Sequence, residues 1–197
     1  MAFNVEYKEG GSYSTAPAGQ FQAVCCELLD HGYTTKSYPN QQTGQMENRP
    51  VREVQFVFQL NKVDDATGKR FEVRSKKLNA LTLGEKSGLR QFLQQWRGHD
   101  LTDAEKLPPG IDLEQLIGRN ALIGVVHVAG QRGGTFANIG SIMPLMEGMA
   151  AITPLNYESK QALVDKANAA AAANPQAAGA VPQMTGQAAV AADDIPF

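Results

Sequence analysis

Five basic side chains fall within nine consecutive residues of the chain, and only one acid, Glu72, lies among them. The five are Lys69, Arg70, Arg74, Lys76 and Lys77. Cations at this density bind phosphate groups, because each one displaces a counterion that a nucleic-acid backbone would otherwise hold. The sequence therefore predicts a phosphate-binding track. The alternative is an ordinary solvated strand face, since edge strands carry lysine to oppose aggregation.

Three further residues suit the same chemistry. Tyr33 and Tyr38 lie in a polar stretch, and Arg132 lies in the glycine-rich stretch at 129–134. Non-specific binding of a single strand needs flat side chains as well as cations, because every base has a π-face on which a ring can stack. We expect the tyrosines to be stacking platforms and Arg132 to be a clamp from the opposite loop. The alternative for each tyrosine is that it only pins its loop to the domain.

Catalytic and metal-dependent functions find no support in the sequence. Cys25 and Cys26 are neighbours that point to opposite faces of an extended chain, so they cannot form a disulfide framework, and one of them should face the core. The three histidines are scattered, without metal-ligand spacing. The stretch Gly-Glu-Lys-Ser at 84–87 lacks the Gly-Lys step of a nucleotide-binding loop. We predict no catalytic residue, no metal and no cofactor.

Composition and charge describe one soluble domain with additional length. The chain has 197 residues, of which 43% are hydrophobic and 19% are charged, and its formal net charge is −2. No apolar run reaches the roughly 18 to 20 residues that span a bilayer, and the N-terminus lacks the residue order of a secretory signal. We expect a cytoplasmic protein with no membrane contact.

Strand patterns run from about residue 18 to residue 145. The first strand is predicted at 19–30, and a long polar loop follows at 31–50. The alternation at 51–62 predicts a half-buried strand. Its core side carries Val54, Phe56, Phe58 and Leu60, and its other side carries Glu53, Gln55 and Gln59. A turn at 64–68 then returns the chain as an antiparallel strand at 69–81, which contains the basic cluster.

One helix interrupts the strands. Ser87 begins it, Gly98 ends it, and Leu89, Phe92, Leu93 and Trp96 repeat at the spacing of one buried stripe. We therefore expect Trp96 to pack in the core and not to stack on bases. A short turn at 112–117 and two strands at 121–128 and 135–142 complete the predicted domain.

The composition changes after Ser159. Residues 161–197 contain fourteen alanines and no aromatic residue before the last position. A short helix capped by Ser159 and stopped by Asn174 and Pro175 is predicted, and then a disordered tether. The predicted organisation is an N-terminal arm at 1–17, a domain at 18–158, an alanine-rich linker at 159–192 and an acidic tip at 193–197.

The tip, Asp193-Asp194-Ile195-Pro196-Phe197, joins two acids and two large hydrophobes to a terminal carboxylate. Such an end suits capture by a partner, with Phe197 in an apolar pocket and its carboxylate on an arginine or lysine. It resembles the C-terminal tip of bacterial single-stranded DNA-binding proteins. The chain lacks that family's opening strand sequence, and its tether is alanine-rich, so it is more similar to single-stranded DNA-binding proteins encoded by bacteriophages.

This resemblance implies a protein that coats and protects single-stranded DNA without sequence specificity in replication, recombination and repair. Its tip would recruit host or phage replication and repair proteins. The implied fold is all-β with one helix, because five strands with a helix between the third and fourth are the element order of the OB-fold, a Greek-key barrel. A homo-oligomer is compatible with this hypothesis.

A protein-binding adaptor, or an inhibitor of the host replication machinery, is the alternative function. It would use an OB-like barrel to bind protein and the tip to dock. Residues 1–158 carry 16 lysines and arginines against 17 acids, so long-range attraction to DNA is weak.

Overall fold

The computed structural model describes residues 14–40, 42–130 and 134–173. Six antiparallel strands and two α-helices follow each other in these ranges. The elements are β1 (Gly19–Pro39), β2 (Met46–Val63), β3 (Arg70–Arg74), β4 (Leu78–Asn79), α1 (Gly88–Arg97), β5 (Asn120–Ala129), β6 (Thr135–Met143) and α2 (Gln161–Ala173), with a 3-10 turn at Leu113–Leu116 between α1 and β5. The predicted strands, the helix after Ser87 and the turn near 112–117 are confirmed, and the predicted strand at 69–81 is split into β3 and β4.

The strands form a nearly closed, barrel-like sheet in the order β3-β2-β1-β5-β6, and β4 pairs with β2. β1 lies at the centre, where it pairs with β2 on one side and β5 on the other. The two edge strands, β3 and β6, approach each other across the remaining gap. The molecule is thus mostly β, with one helix at the barrel and a second on its outer surface.

An aromatic cluster fills the barrel. The ring centroids of Phe58 and Trp96 are 5.1 Å apart, and those of Phe56 and Phe92 are 5.5 Å apart. The indole nitrogen of Trp96 donates a hydrogen bond of 3.1 Å to the carbonyl of Asn120, so its one polar group is satisfied. The predictions that Phe56, Phe58 and Trp96 belong to the core are confirmed, as is the expectation that one cysteine, Cys25, is buried.

The long polar loop predicted at 31–50 was wrong, because most of this stretch is strand. β1 continues to Pro39 and β2 begins at Met46, and the two strands pair from Tyr33 opposite Arg52 to Pro39 opposite Met46. We call this protruding hairpin, residues 31–52, the arm. A bulge at its base precedes Tyr33, where Gly32 has a φ of 73°, a backbone conformation that glycine adopts without a steric penalty.

The outer face of the sheet carries a second layer. The predicted short helix after Ser159 is confirmed as α2, but its packing on the sheet was not predicted from the sequence. Residues 150–160, here called the strap, cross this face and lead into α2. Val164 of α2 packs on Leu29 and Val57 beneath it. The alanine-rich region after Ser159 therefore contributes one buried residue, Val164, which is 8% exposed.

Side-chain amides of the sheet hold the strap. Gln59 donates to the carbonyl of Leu155 at 3.1 Å and accepts from its N–H at 2.9 Å. Asn120 makes the equivalent pair with Ile152, both bonds at 2.9 Å. Gln59 is buried at 2% exposure, so the expectation that it lies on an open strand face was wrong. Its burial costs little because both amide groups are paired.

Candidate functional site

Three of the five predicted track residues lie together at the end of β3. Arg74, Lys76 and Lys77 are all exposed. Among the residues that the structure describes, neither Arg74 nor Lys76 forms an ion pair. Lys77 lies 3.8 Å from a carboxylate oxygen of Glu53. These three side chains therefore present positive charge to solvent, as a phosphate-binding surface requires.

Glu53 connects this group to the arm. Its side chain is only 9% exposed, and Lys36 of the arm lies 2.5 Å from its other oxygen. The Glu53 hydrogen bond raises the pKa of Lys36 above its ordinary value, so the ammonium stays charged. One largely buried carboxylate thus holds two lysines from separate elements in place. We call the surface formed by Lys36, Tyr38, Arg74, Lys76 and Lys77 the cationic face.

His31 lies at the base of the arm beside this surface. A ring nitrogen of His31 is 3.2 Å from the amide oxygen of Gln55. Burial lowers the pKa of His31, and the neighbouring charges of Lys77 and Arg74 lower it further. A neutral imidazole in a field of cations gains a proton readily when an anion arrives.

The arm carries its predicted aromatic residues on opposite faces. Tyr38 pairs with Glu47 and Lys36 pairs with Arg49, and because successive side chains alternate, these residues share the face that contains Glu53. Tyr38 is 38% exposed there. The structure therefore places Tyr38 beside Lys36, on the face whose Glu53 also contacts the predicted cation Lys77.

Tyr33 faces away from the cationic face. It pairs with Arg52, whose guanidinium carbon lies 5.8 Å from the centre of the Tyr33 ring. Arg52 in turn binds the carboxylate of Asp30, with its shorter contact at 2.6 Å. The Tyr33 ring is 71% exposed, so it remains accessible, but it stands in a separate group of side chains.

Lys69 and Arg70, the other two predicted track residues, lie at the opposite end of β3. Arg70 donates a hydrogen bond of 2.7 Å to the carbonyl of Thr153 in the strap. Lys69 is 3.6 Å from the carboxylate of Glu158, which is also in the strap. Arg70 and Arg74 are four positions apart on the strand, so their Cα atoms are separated by about 13 Å. The structure does not bring Lys69 and Arg70 into the cationic face.

Several predicted elements lie outside the described residues. They are the Arg132 clamp, the tip at 193–197, the tether beyond Pro175 and residues 1–13 of the N-terminal segment.

Sequence reasoning missed Lys36, Arg49 and Glu53. The sequence does contain a signal for a hairpin here. The run Thr-Thr-Lys-Ser-Tyr favours a strand, because threonine and tyrosine do, and Gly44 and a second stretch with alternating charge follow it. Once the arm is treated as a hairpin, Lys36 and Tyr38 fall on one face because they are two residues apart.

Neither a metal-binding cluster nor a membrane-spanning helix is present in the described ranges. No group of three or more His, Cys, Asp or Glu residues there could hold a metal ion. Within the same ranges, the helices are too short or too polar to cross a membrane.

The chain matches no protein-family model, no curated protein and no solved structure.

Proposed function

We propose that the protein binds single-stranded DNA without sequence specificity and protects it during replication, recombination or repair, in the manner of bacteriophage single-stranded DNA-binding proteins. The observation that carries this proposal is the cationic face. It combines the two groups that such binding needs, cations for the phosphates and an exposed ring for a base. The charges on Arg74 and Lys76 lack ion-pair partners among the described residues, so they are available to a ligand.

The sheet supports the proposal through its architecture. Three strands precede α1, counting β3 and β4 as one interrupted strand, and two strands follow it. This is the element order of an OB-like barrel, which binds oligonucleotides on its second and third strands and on the loops that join strands one to two and four to five. The residues of the cationic face lie on two of these elements. Lys36 and Tyr38 lie on the arm, which joins strands one and two, and Arg74, Lys76 and Lys77 lie on the β3–β4 segment.

The tip is the basis for the second part of the proposal, the recruitment of other proteins. Asp193 and Asp194 are suited to a basic rim on a partner, and Phe197 to an apolar pocket. We therefore assign recruitment of replication and repair proteins to residues 193–197. An acidic tip would also compete weakly with DNA for the cationic face, so its deletion should tighten DNA binding at low salt and leave it unchanged at high salt.

Protein binding is the second candidate function. Lys36 and Lys77 share Glu53, and Lys69 and Arg70 are bound to the strap, so part of the basic cluster is already neutralised within the chain. The positive charge that remains is sufficient for an adaptor or inhibitor that binds host replication proteins, because such binding does not depend on attraction to phosphates.

Equilibrium binding separates the two functions. A labelled oligo-dT strand and a duplex of equal length would be titrated with the full chain at low and moderate salt, and fluorescence anisotropy would be measured. The DNA-binding proposal predicts preference for the single strand and weakening with salt. No binding of either DNA at low salt, with or without residues 193–197, would reject it and leave the adaptor hypothesis.

A further inference from the structure

A groove runs along the seam between the edge strands β3 and β6, next to the cationic face. It consists of two adjoining cavities of about 600 and 610 Å³. Both cavities are lined by Gln55, Ser75, Val128 and Asn138, so they lie side by side along the seam. One end lies beside α1 and the other lies beside the end of the β5–β6 hairpin.

One wall of the groove carries two cations and one acid. Arg74 and Lys76 line it from the end of β3, and Glu72, which lies 3.9 Å from Lys160, lines it beside Arg74. Ser75 between the two cations is buried and is fixed to the backbone of Phe56, whose carbonyl accepts from the Ser75 N–H at 2.9 Å and whose N–H donates to the Ser75 hydroxyl at 3.0 Å. The backbone that carries the two cations is therefore held rigidly at the rim.

The facing wall is uncharged, and it combines apolar side chains with the polar side chains of Thr135, Asn138 and Ser141. Residues 120–130 and 134–143 contain no Asp, Glu, Lys or Arg. Val128 pairs with Phe136 and Val126 pairs with Asn138, so Val126, Val128 and Phe136 share the outward face of this ribbon. They are 44%, 44% and 60% exposed. Scattered apolar residues on a surface are ordinary, but three adjacent ones along a groove indicate a contact site.

Phe136 is positioned with one side of its ring against the hairpin backbone. A Cβ atom at Gly130 would overlap the ring, so the ring lies directly on the glycine. The ring is nonetheless the most exposed of the three side chains, and it lines the groove. A ring that rests on the backbone and is still largely exposed is suited to stacking, because little side-chain freedom remains to be lost.

We infer that the single strand passes through this groove in one orientation, with its phosphates toward Arg74 and Lys76 and its bases toward Val128 and Phe136. Phe136 would stack on a base. The inference rests on the proposed function and adds a base-binding wall that lies on β5 and β6, away from the arm. The charge asymmetry decides the orientation, since an uncharged wall attracts bases but gives phosphates no partner.

Oligonucleotides with and without bases test the inference. Phe136→Ala would be compared with wild type on oligo-dT and on an abasic oligomer of the same length, at low salt. The expected result is binding to oligo-dT weakened about tenfold or more and binding to the abasic strand unchanged, because the substitution removes only the stacking surface. Phe136→Trp should retain affinity for oligo-dT. Leu107→Ala is the matched control, since Leu107 is 64% exposed and lies outside the groove.

Each other outcome overturns the inference in a distinct way. Equal weakening on both strands would mean that Phe136 supports the fold or the phosphate-binding wall. Unchanged binding of both strands would mean that the bases lie elsewhere. A change in oligomeric state with DNA binding intact, measured by light scattering, would make this wall a protein interface. If the wild-type protein binds neither strand, the proposed function itself is wrong. This result differs from a failure of the inference about Phe136, in which the wild-type protein still binds DNA.

Discussion

Tyr33 and Tyr38 lie on opposite faces of one hairpin arm, because they are five positions apart on a single strand. Tyr38 shares its face with Lys36 and with the largely buried carboxylate of Glu53, whereas Tyr33 is exposed on the other face, 5.8 Å from the guanidinium of Arg52. An odd separation along a strand always produces this division. One single strand following the cationic face therefore meets Tyr38 and not Tyr33.

The two tyrosines should contribute unequally to DNA binding. Tyr38→Ala is expected to weaken binding to oligo-dT by about 1 to 3 kcal/mol, the usual value for stacking on one base. Tyr33→Ala, an identical change on the other face, is the matched control and should have little effect. Anisotropy titrations of both variants at one salt concentration provide the measurement. A larger decrease for Tyr33→Ala would place the DNA on the opposite face of the arm.

The regular part of the barrel could be predicted from the sequence because each element has one buried side. Val54, Phe56, Phe58 and Leu60 alternate on β2, and Leu89, Phe92, Leu93 and Trp96 form one stripe on α1. Hydrophobic periodicity reports this kind of burial directly. The predicted strand at 51–62 and the predicted helix were correct for this reason.

The arm and the strap could not be predicted in the same way. Most of the arm is exposed on both faces, so it has no apolar alternation from which its strands could be predicted. The strap is held by Gln59 and Asn120, whose amides look no different in sequence from exposed ones. The strap also decides which cations are free, because it binds Arg70 and leaves Arg74 open. The candidate site was therefore predicted only in part.

DNA binding should take up a proton at His31. The pKa of His31 in the free protein is below its ordinary value of 6.5, so the ring is neutral at pH 7. Phosphates on the cationic face would favour the charged ring, and affinity should rise as the pH falls from 7 to 6, by at most about tenfold per unit for one proton. His31→Gln should remove this increase. A pH dependence that persists in His31→Gln would assign the proton to another group.

The lowered pKa of His31 also determines how His31 affects the stability of the fold as the pH changes. Its pKa in the folded state lies below the unfolded value, so the unfolded chain binds the proton first. The contribution of His31 to stability is therefore complete above about pH 6.5 and is lost as the pH falls through the folded pKa. Urea denaturation of wild type and His31→Gln at pH 7 and below 6 should show a larger decrease for wild type.

Gln59 should be a measurable anchor of the strap. Gln59→Leu keeps a similar volume but leaves both the N–H and the carbonyl of Leu155 without their partner, which costs about 1 to 3 kcal/mol. The free energy of unfolding in urea is the appropriate measurement. Gln94→Leu, on the exposed side of α1, is the control and should change it little. Equal stability of the two variants would mean that the strap contributes nothing to the fold.

Neither cysteine should react in the native protein. Burial raises the pKa of Cys25 to about 12 and that of Cys26 to about 11, and the thiolate is the reactive form. At pH 8 a thiol-exchange reagent should therefore modify almost nothing until urea is added, after which both thiols should react. Prompt modification of one thiol without urea would show that β1 opens near Cys26 in the native state.

The salt dependence of single-strand binding tests the central claim most directly. Arg74, Lys76 and Lys77 would be changed together to alanine and compared with a variant in which Lys62, Lys86 and Lys106 are changed, since both lower the net charge equally. The slope of log affinity for oligo-dT against log salt should become shallower by about 0.7 for each phosphate that is no longer neutralised, so by about 2 in the first variant. The second variant should keep the wild-type slope. Equal slopes in the two variants, or the wild-type slope in both, would contradict the claim that the cationic face binds the DNA backbone.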